Sequence, residues 1–306
     1  MGDPTRAIAF KIALGDLRHS CDDTPDDRRD MSYVHGYDDG EARRLADQAA
    51  TLAELLHHDT AYGAGEHVLE AGCGIGAQTV ELARRSPAAT FTCIDRSDAS
   101  LQRARAAVHD AGLRNVVLQA ADIFELPFPP AQFDHVFVCF VLEHLGDPVR
   151  ALRALAGVLR PNGTLTVIEG DHGSVLMHPE SVDARAVIDS QVALQRRAGG
   201  NAMIGRELYH LLTEAGLGDV RVSRRDVYAD ASRPAWVEGF TRRTFTAMIE
   251  GVRGDALAAG LLDAGQFDRG IAALERTTAP DGMFGYTFFK AVSTSAPCDR
   301  PAVGAV

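Results

Sequence analysis

Lysine is nearly absent from this 306-residue chain. Only Lys11 and Lys290 occur, and 31 basic residues against 42 acidic ones leave a net charge of −11. That balance removes the electrostatic grip by which proteins hold nucleic acid or an anionic membrane surface, so neither partner is expected. No apolar run approaches the roughly 20 residues of a membrane span. The first residues lack the charged, apolar, small-residue order of a signal peptide. Cysteine is sparse and odd in number: Cys21, Cys73, Cys93, Cys139 and Cys298 are widely spaced with no C-x-x-C pair, which argues against a disulfide framework and against a bound metal. A cytoplasmic location is the expectation. Low-complexity linkers and internal repeats are missing too, so helical additions to one domain are expected rather than two independent domains.

What is present is an alternation of strand and helix. Residues 1–31 end in the polar "DLRHSCDDTPDDRRD" and read as a mobile tail. Residues 32–60 read as N-terminal cap helices, with Ala42, Leu45, Ala46, Ala49, Leu52, Ala53 and Leu56 on one face of a helix over 41–57. From residue 61 to 306 the pattern is that of one α/β domain. "HVLEA", "TFTCID", "NVVLQA", "FDHVFVCF" and "TLTVIEG" are short apolar strands separated by amphipathic helices, which predicts a parallel sheet covered on both faces. Helical insertions are expected near 175–200 and 232–279, with "DVRVSRRDVYA" between them as a strand and "MFGYTFFKAV" as the last one.

Ligands of such sheets sit outside the carboxyl ends of the strands. The first exit is "VLEAGCGIGAQT", with Gly72, Gly74 and Gly76 at alternate positions. Gly72-x-Gly74-x-x-Ala77 also satisfies the loose dinucleotide fingerprint, so an NAD-dependent oxidoreductase is an alternative. Glu70 argues against it, because a carboxylate two residues before the first glycine suits a cationic ligand better than a pyrophosphate. Asp95 is placed for ribose hydroxyls in either case. Asp122, after the third strand, suits an exocyclic adenine amine, and Ile123 beside it can pack on the base.

"VLEAGCGIG", "IDRS", "AADIFELPF", "FDHVFVCFVLEHL" and "LRPNGTLTVIE", in this order and at these intervals, resemble the class I S-adenosylmethionine-dependent methyltransferases, particularly the ubiquinone/menaquinone-type and natural-product small-molecule enzymes. The resemblance implies a Rossmann-like, doubly wound α/β fold with a seven-stranded sheet, its last strand antiparallel, and helical cap insertions. It implies S-adenosyl-L-methionine as cofactor, S-adenosyl-L-homocysteine as product and a small-molecule acceptor. Glu70, Gly72, Gly74 and Gly76 would lie beside the methionine part, with Gln78 nearby. Asp95 would take the ribose, Arg96 and Ile123 would flank the adenine, Asp122 would meet its amino group, and Cys139 would contact the methionyl end. Tyr33, in "YVHGYDDGEARRL", resembles a residue of the N-terminal cap that closes over cofactor and substrate.

Methyl transfer needs alignment and a dry pocket, and a base only where the nucleophile must lose a proton. His172 in "EGDHGS" and His144 in "LEHL" both follow strands at the active edge, and Asp171 adjoins the first; these are the candidate catalytic residues. The acceptor is expected to be a hydrophobic or aromatic metabolite. A non-catalytic methyltransferase-like module is the other alternative. No G-x-S-x-G elbow accompanies Ser174, which sets aside a serine hydrolase. His57 and His58 read as helix-end residues whose charged form the helix dipole favours. Cys73, Cys93 and Cys139 read as packing residues, and Trp236, Phe240, Phe245 and Met248 as cap core rather than pocket wall.

Overall fold

The computed structural model describes residues 39–295. A seven-stranded sheet runs through them in the order β3-β2-β1-β4-β5-β7-β6. Its strands are β1 His67–Ala71, β2 Thr90–Asp95, β3 Val116–Ala120, β4 Phe133–Cys139, β5 Leu159–His178, β6 Gly218–Asp230 and β7 Met283–Thr294. β1 to β5 pair in parallel, and β7 lies antiparallel between β5 and β6. The order reverses at β1/β4, where the chain leaves the sheet edge it built first and starts the other half, opening a crevice at the strand ends.

The helices cover both faces. On one face, α1 Asp39–His57 and α2 Ala77–Arg85 pack with α3 Asp98–Asp110 and α5 Val182–Arg197, burying Leu52, Leu56, Leu82, Phe91 and Phe137. On the other, α4 Pro148–Val158 and α6 Leu208–Glu214 bury Leu152, Leu155, Leu212 and Val136. Local side-chain chemistry starts three of the helices. Ser97 accepts from Ser100 N, Asp147 caps α4 with Pro148 at its first position, and Ser181 caps α5. No described helix is long and apolar enough to cross a membrane.

Two elements differ from expectation. β5 does not end at Gly170 but continues to His178, because β7 offers it a ladder partner beyond the sheet proper; a bulge between Asp171 and Leu176 re-aims the strand. The segment expected to begin an insertion at 175 is therefore strand first and helix only from Val182. Between β6 and β7, residues Val237–Thr246 wind as a π-helix that crosses α1. Gly239 makes this crossing possible, since a Cβ there would lie 2.4 Å from Thr51 Oγ1.

Candidate active site

The glycine turn after β1 places three glycines in the left-handed region. Gly72, Gly74 and Gly76 all have positive φ, 76°, 52° and 81°. A Cβ on Gly72 would lie 2.4 Å from Val141 Cγ2, and one on Gly76 would lie 3.1 Å from Ala104, so these two positions admit neighbours from the β4 exit and from α3. A Cβ on Gly74 would meet nothing within 4 Å. The side of Gly74 where a side chain would stand is therefore open.

Acids surround the turn. Asp95 Oδ2 accepts from Gly74 N at 2.9 Å and Oδ1 from Ser97 N at 2.8 Å, which leaves lone pairs for further donors. Glu70 is 3% exposed beneath the turn and accepts from Thr79 Oγ1 at 2.5 Å. Burial pushes its carboxyl up to about 7, against the hydrogen bonds of Thr79 and Cys93. Asp122 and Arg96 are exposed and Ile123 is half-buried, with Asp122 Oδ1 taking Phe124 N at 2.8 Å. The set fits a nucleoside carrying positive charge: a bare glycine, a carboxylate with open lone pairs and a buried acid whose ionised form a nearby cation would favour.

Gln78 and His57 stand in surroundings other than those expected. Gln78 turns its amide oxygen away to His57 Nε2, 2.6 Å distant, and so ties α2 to α1. His57 is wholly buried, and burial pushes it down to about 4, the opposite direction to the helix-end expectation, because desolvation outweighs the Gln78 hydrogen bond and the terminal dipole. Tyr33 lies outside the described residues. Cys73, Cys93 and Cys139 are buried free thiols that burial pushes up, which makes them packing groups.

The β4 exit is built on a left-handed residue. Phe140 has φ 58° and is fixed by its N–H to Ile168 O, 2.9 Å; its ring stands 5.3 Å from that of Phe288. A single 3-10 turn, Leu142–His144, follows. Glu169 of β5, fully buried, accepts from Val141 N at 3.0 Å and Leu142 N at 2.7 Å through Oε1. His144 lies beside Glu143, Nε2 to Oε1 3.7 Å, with a side chain one-fifth exposed.

At the bend of β5, Asp171 is 2% exposed and forms a two-point ion pair with Arg206, both contacts 2.7 Å. It also accepts from Gly173 N, so this carboxylate is engaged in holding the bend. His172 is 6% exposed. Its Nδ1 lies 3.1 Å from Ala202 O and 3.1 Å from Tyr286 Oη, while Nε2 is buried without a partner. A carbonyl has no proton to give, so the Ala202 contact is a hydrogen bond only if Nδ1 carries the hydrogen; Nε2 then presents a lone pair. Burial lowers the imidazole below its ordinary range, which keeps that lone pair available at neutral pH. Tyr286, Arg206 and Glu169 were not singled out as site residues. The one signal in the sequence is the glycine pair of "EGDHG": a Cβ on Gly170 would lie 2.4 Å from Tyr286 Oη, and one on Gly173 2.4 Å from Arg206 Nη2.

Comparison with known proteins shows the family. The family described as Methyltransferase domain matches residues 69–167. A 27-O-demethylrifamycin SV methyltransferase from Amycolatopsis mediterranei is 30% identical over 259 residues, covering 84% of this chain and 88% of the relative. Among solved structures, phosphoethanolamine N-methyltransferase 2 of Haemonchus contortus shares the fold with TM-score 0.51 and 18% identity, covering 81% of this chain and 53% of that one. The [4+2]-cyclase SpnF shares it with TM-score 0.51 and 21% identity, covering 86% and 87%. The dehydrogenase alternative falls with these matches. From the glycine turn, its acids and a relative aligned over nearly the full length, the chain belongs to the S-adenosylmethionine-dependent methyltransferases with the Rossmann-like class I fold.

Proposed function

We propose that this enzyme methylates a hydroxyl group of an apolar, ring-bearing small molecule, with His172 as the proton acceptor. The observation that carries this reading is His172 Nε2, buried without a partner while Nδ1 is anchored on Ala202. S-adenosylmethionine, when bound, supplies a methyl group already activated on a sulfonium. The chain's own residues bind and orient: Gly74 offers open backbone, Asp95 accepts from ribose hydroxyls, Asp122 and Ile123 take the adenine with Arg96 on its other side, and Glu70 contributes negative charge under the turn. The Cys139–Phe140 exit borders the reacting end. His172 takes the acceptor's proton at Nε2, and the Ala202 carbonyl supports the imidazolium that results.

Oxygen as nucleophile is supported by the name of the Amycolatopsis relative, which specifies an O-demethylated acceptor. An apolar acceptor is supported by half-buried Phe140 at the β4 exit, whereas Phe240, Phe245, Phe284, Tyr286 and Phe288 pack on one another as core. Asp171, bound to Arg206, holds the bend rather than moving a proton. His144 is the second candidate, since it sits beside Glu143 and is more accessible.

The test pairs H172A with H144A on a panel of phenolic and macrocyclic hydroxyl compounds, with methylation read by mass. H172A is expected to lower kcat about 100-fold or more, within the range for loss of a general base, with S-adenosylhomocysteine affinity unchanged. Because His172 is neutral throughout the neutral range, wild-type kcat is expected to stay level down to about pH 6.5. Retention of rate in H172A together with loss in H144A moves the base to His144.

A further inference from the structure

Glu169 has no part in the chemistry above, yet it is the most deeply buried acid of the site. Its Oε1 gathers the Val141 and Leu142 amides, and Oε2 is buried without a partner. The two amides it holds follow directly on Phe140, an aromatic residue with φ 58°. A side chain in that region is strained by roughly 1–2 kcal/mol and persists only where neighbours impose it. The Ile168 carbonyl holds Phe140 from one side and Glu169 from the other. The same loop carries Val141, whose methyl groups fill the place of a side chain on Gly72.

We propose that Glu169 is a positioning residue of the methyl-transfer site: by capping the Val141 and Leu142 amides it fixes the β4 exit and seats Val141 against the cofactor's glycine turn. What matters is then the reach of one oxygen acceptor, not charge. Burial and the nearby Glu143 push the Glu169 carboxyl well up, toward the neutral form that glutamine copies in shape.

This inference rests on the cofactor reading, and one experiment separates the two. S-adenosylhomocysteine binding is measured by calorimetry at 25 °C for wild type, Glu169→Gln and Glu169→Asp, with circular dichroism melts to verify folding. Wild-type binding tests the cofactor itself. Glu169→Gln keeps the reach and removes the ionisable group, and is expected to bind within about threefold of wild type. Glu169→Asp keeps the carboxyl but is one methylene too short to reach both amides, and is expected to bind at least tenfold more weakly while still folded. Wild-type affinity in Glu169→Asp, or a tenfold loss in folded Glu169→Gln, overturns the proposal. If Glu169→Asp does not fold, the glutamine variant decides alone.

Discussion

At the residue scale, the three glycines of the turn do different work, and substitution separates them. Gly74→Ala places its methyl group in open space and costs only the left-handed backbone, about 1 kcal/mol. It is expected to fold with a melting temperature a few degrees lower, but to lose most of the stabilisation that S-adenosylhomocysteine gives wild type. Gly72→Ala adds a clash with Val141 to the same strain and is expected to lose about 2–4 kcal/mol of stability outright. Melts with and without the thioether check both, and an undiminished ligand shift in Gly74→Ala would mean that the cofactor does not approach that backbone. Residues whose role depends on chain neighbours were legible here: glycines, Glu70 and Asp95 sit within or just beyond one strand-turn-helix unit. Glu169 and Tyr286 were not, since their partners lie 27 and 114 positions away in sequence.

At the scale of elements, α1 is fastened to the sheet by one of the two lysines. Lys290 of β7 is 3% exposed and its Nζ reaches Asp59 Oδ1 at 2.6 Å, Thr60 Oγ1 at 2.5 Å and Leu56 O at 3.3 Å, with Arg225 of β6 on the other oxygen of Asp59. These groups cap the C-terminus of α1, where a positive charge is favourable. Lys290→Met keeps the stem and removes the donors, so it is expected to cost about 1–3 kcal/mol by leaving buried acceptors unpaired. Faster proteolytic cleavage within α1, relative to the sheet, is the accompanying sign; unchanged cleavage would show that packing alone holds the helix. Composition alone marked this lysine as rare without giving it a place. The strand order of its element supplied the place, because β7 inserts between β5 and β6 and faces the end of α1.

At the scale of the whole molecule, two buried groups oppose each other as pH changes. His57 has a folded pKa of about 4 against 6.5 unfolded, so its contribution to stability is complete above pH 6.5 and is lost as pH falls through 4, about 3 kcal/mol in all. Glu70 has a folded pKa of about 7 against 4.5, so its contribution is complete below pH 4.5 and is lost as pH rises through 7, by a similar amount. Between pH 4.5 and 6.5 the two nearly cancel. Glu70→Gln is therefore expected to destabilise with falling pH more steeply than wild type, and His57→Gln less steeply; parallel denaturation curves for all three proteins would refute the assignment. A positive ligand near Glu70 draws its proton off, so S-adenosylmethionine binding near pH 7 is expected to release protons, seen as a binding enthalpy that changes with the buffer's ionisation enthalpy. By itself the sequence determined the alternation of strands and helices, the glycine turn and the acids beside it, because these rest on periodicity and on contacts between near neighbours, and the resemblance carried by those segments implied the cofactor. Only the tertiary structure decided that β5 runs on past the sheet, that His57 is neutral, that Asp171 belongs to Arg206 and that His172 keeps a bare nitrogen, because burial and partners are fixed by segments that meet only when the sheet has closed.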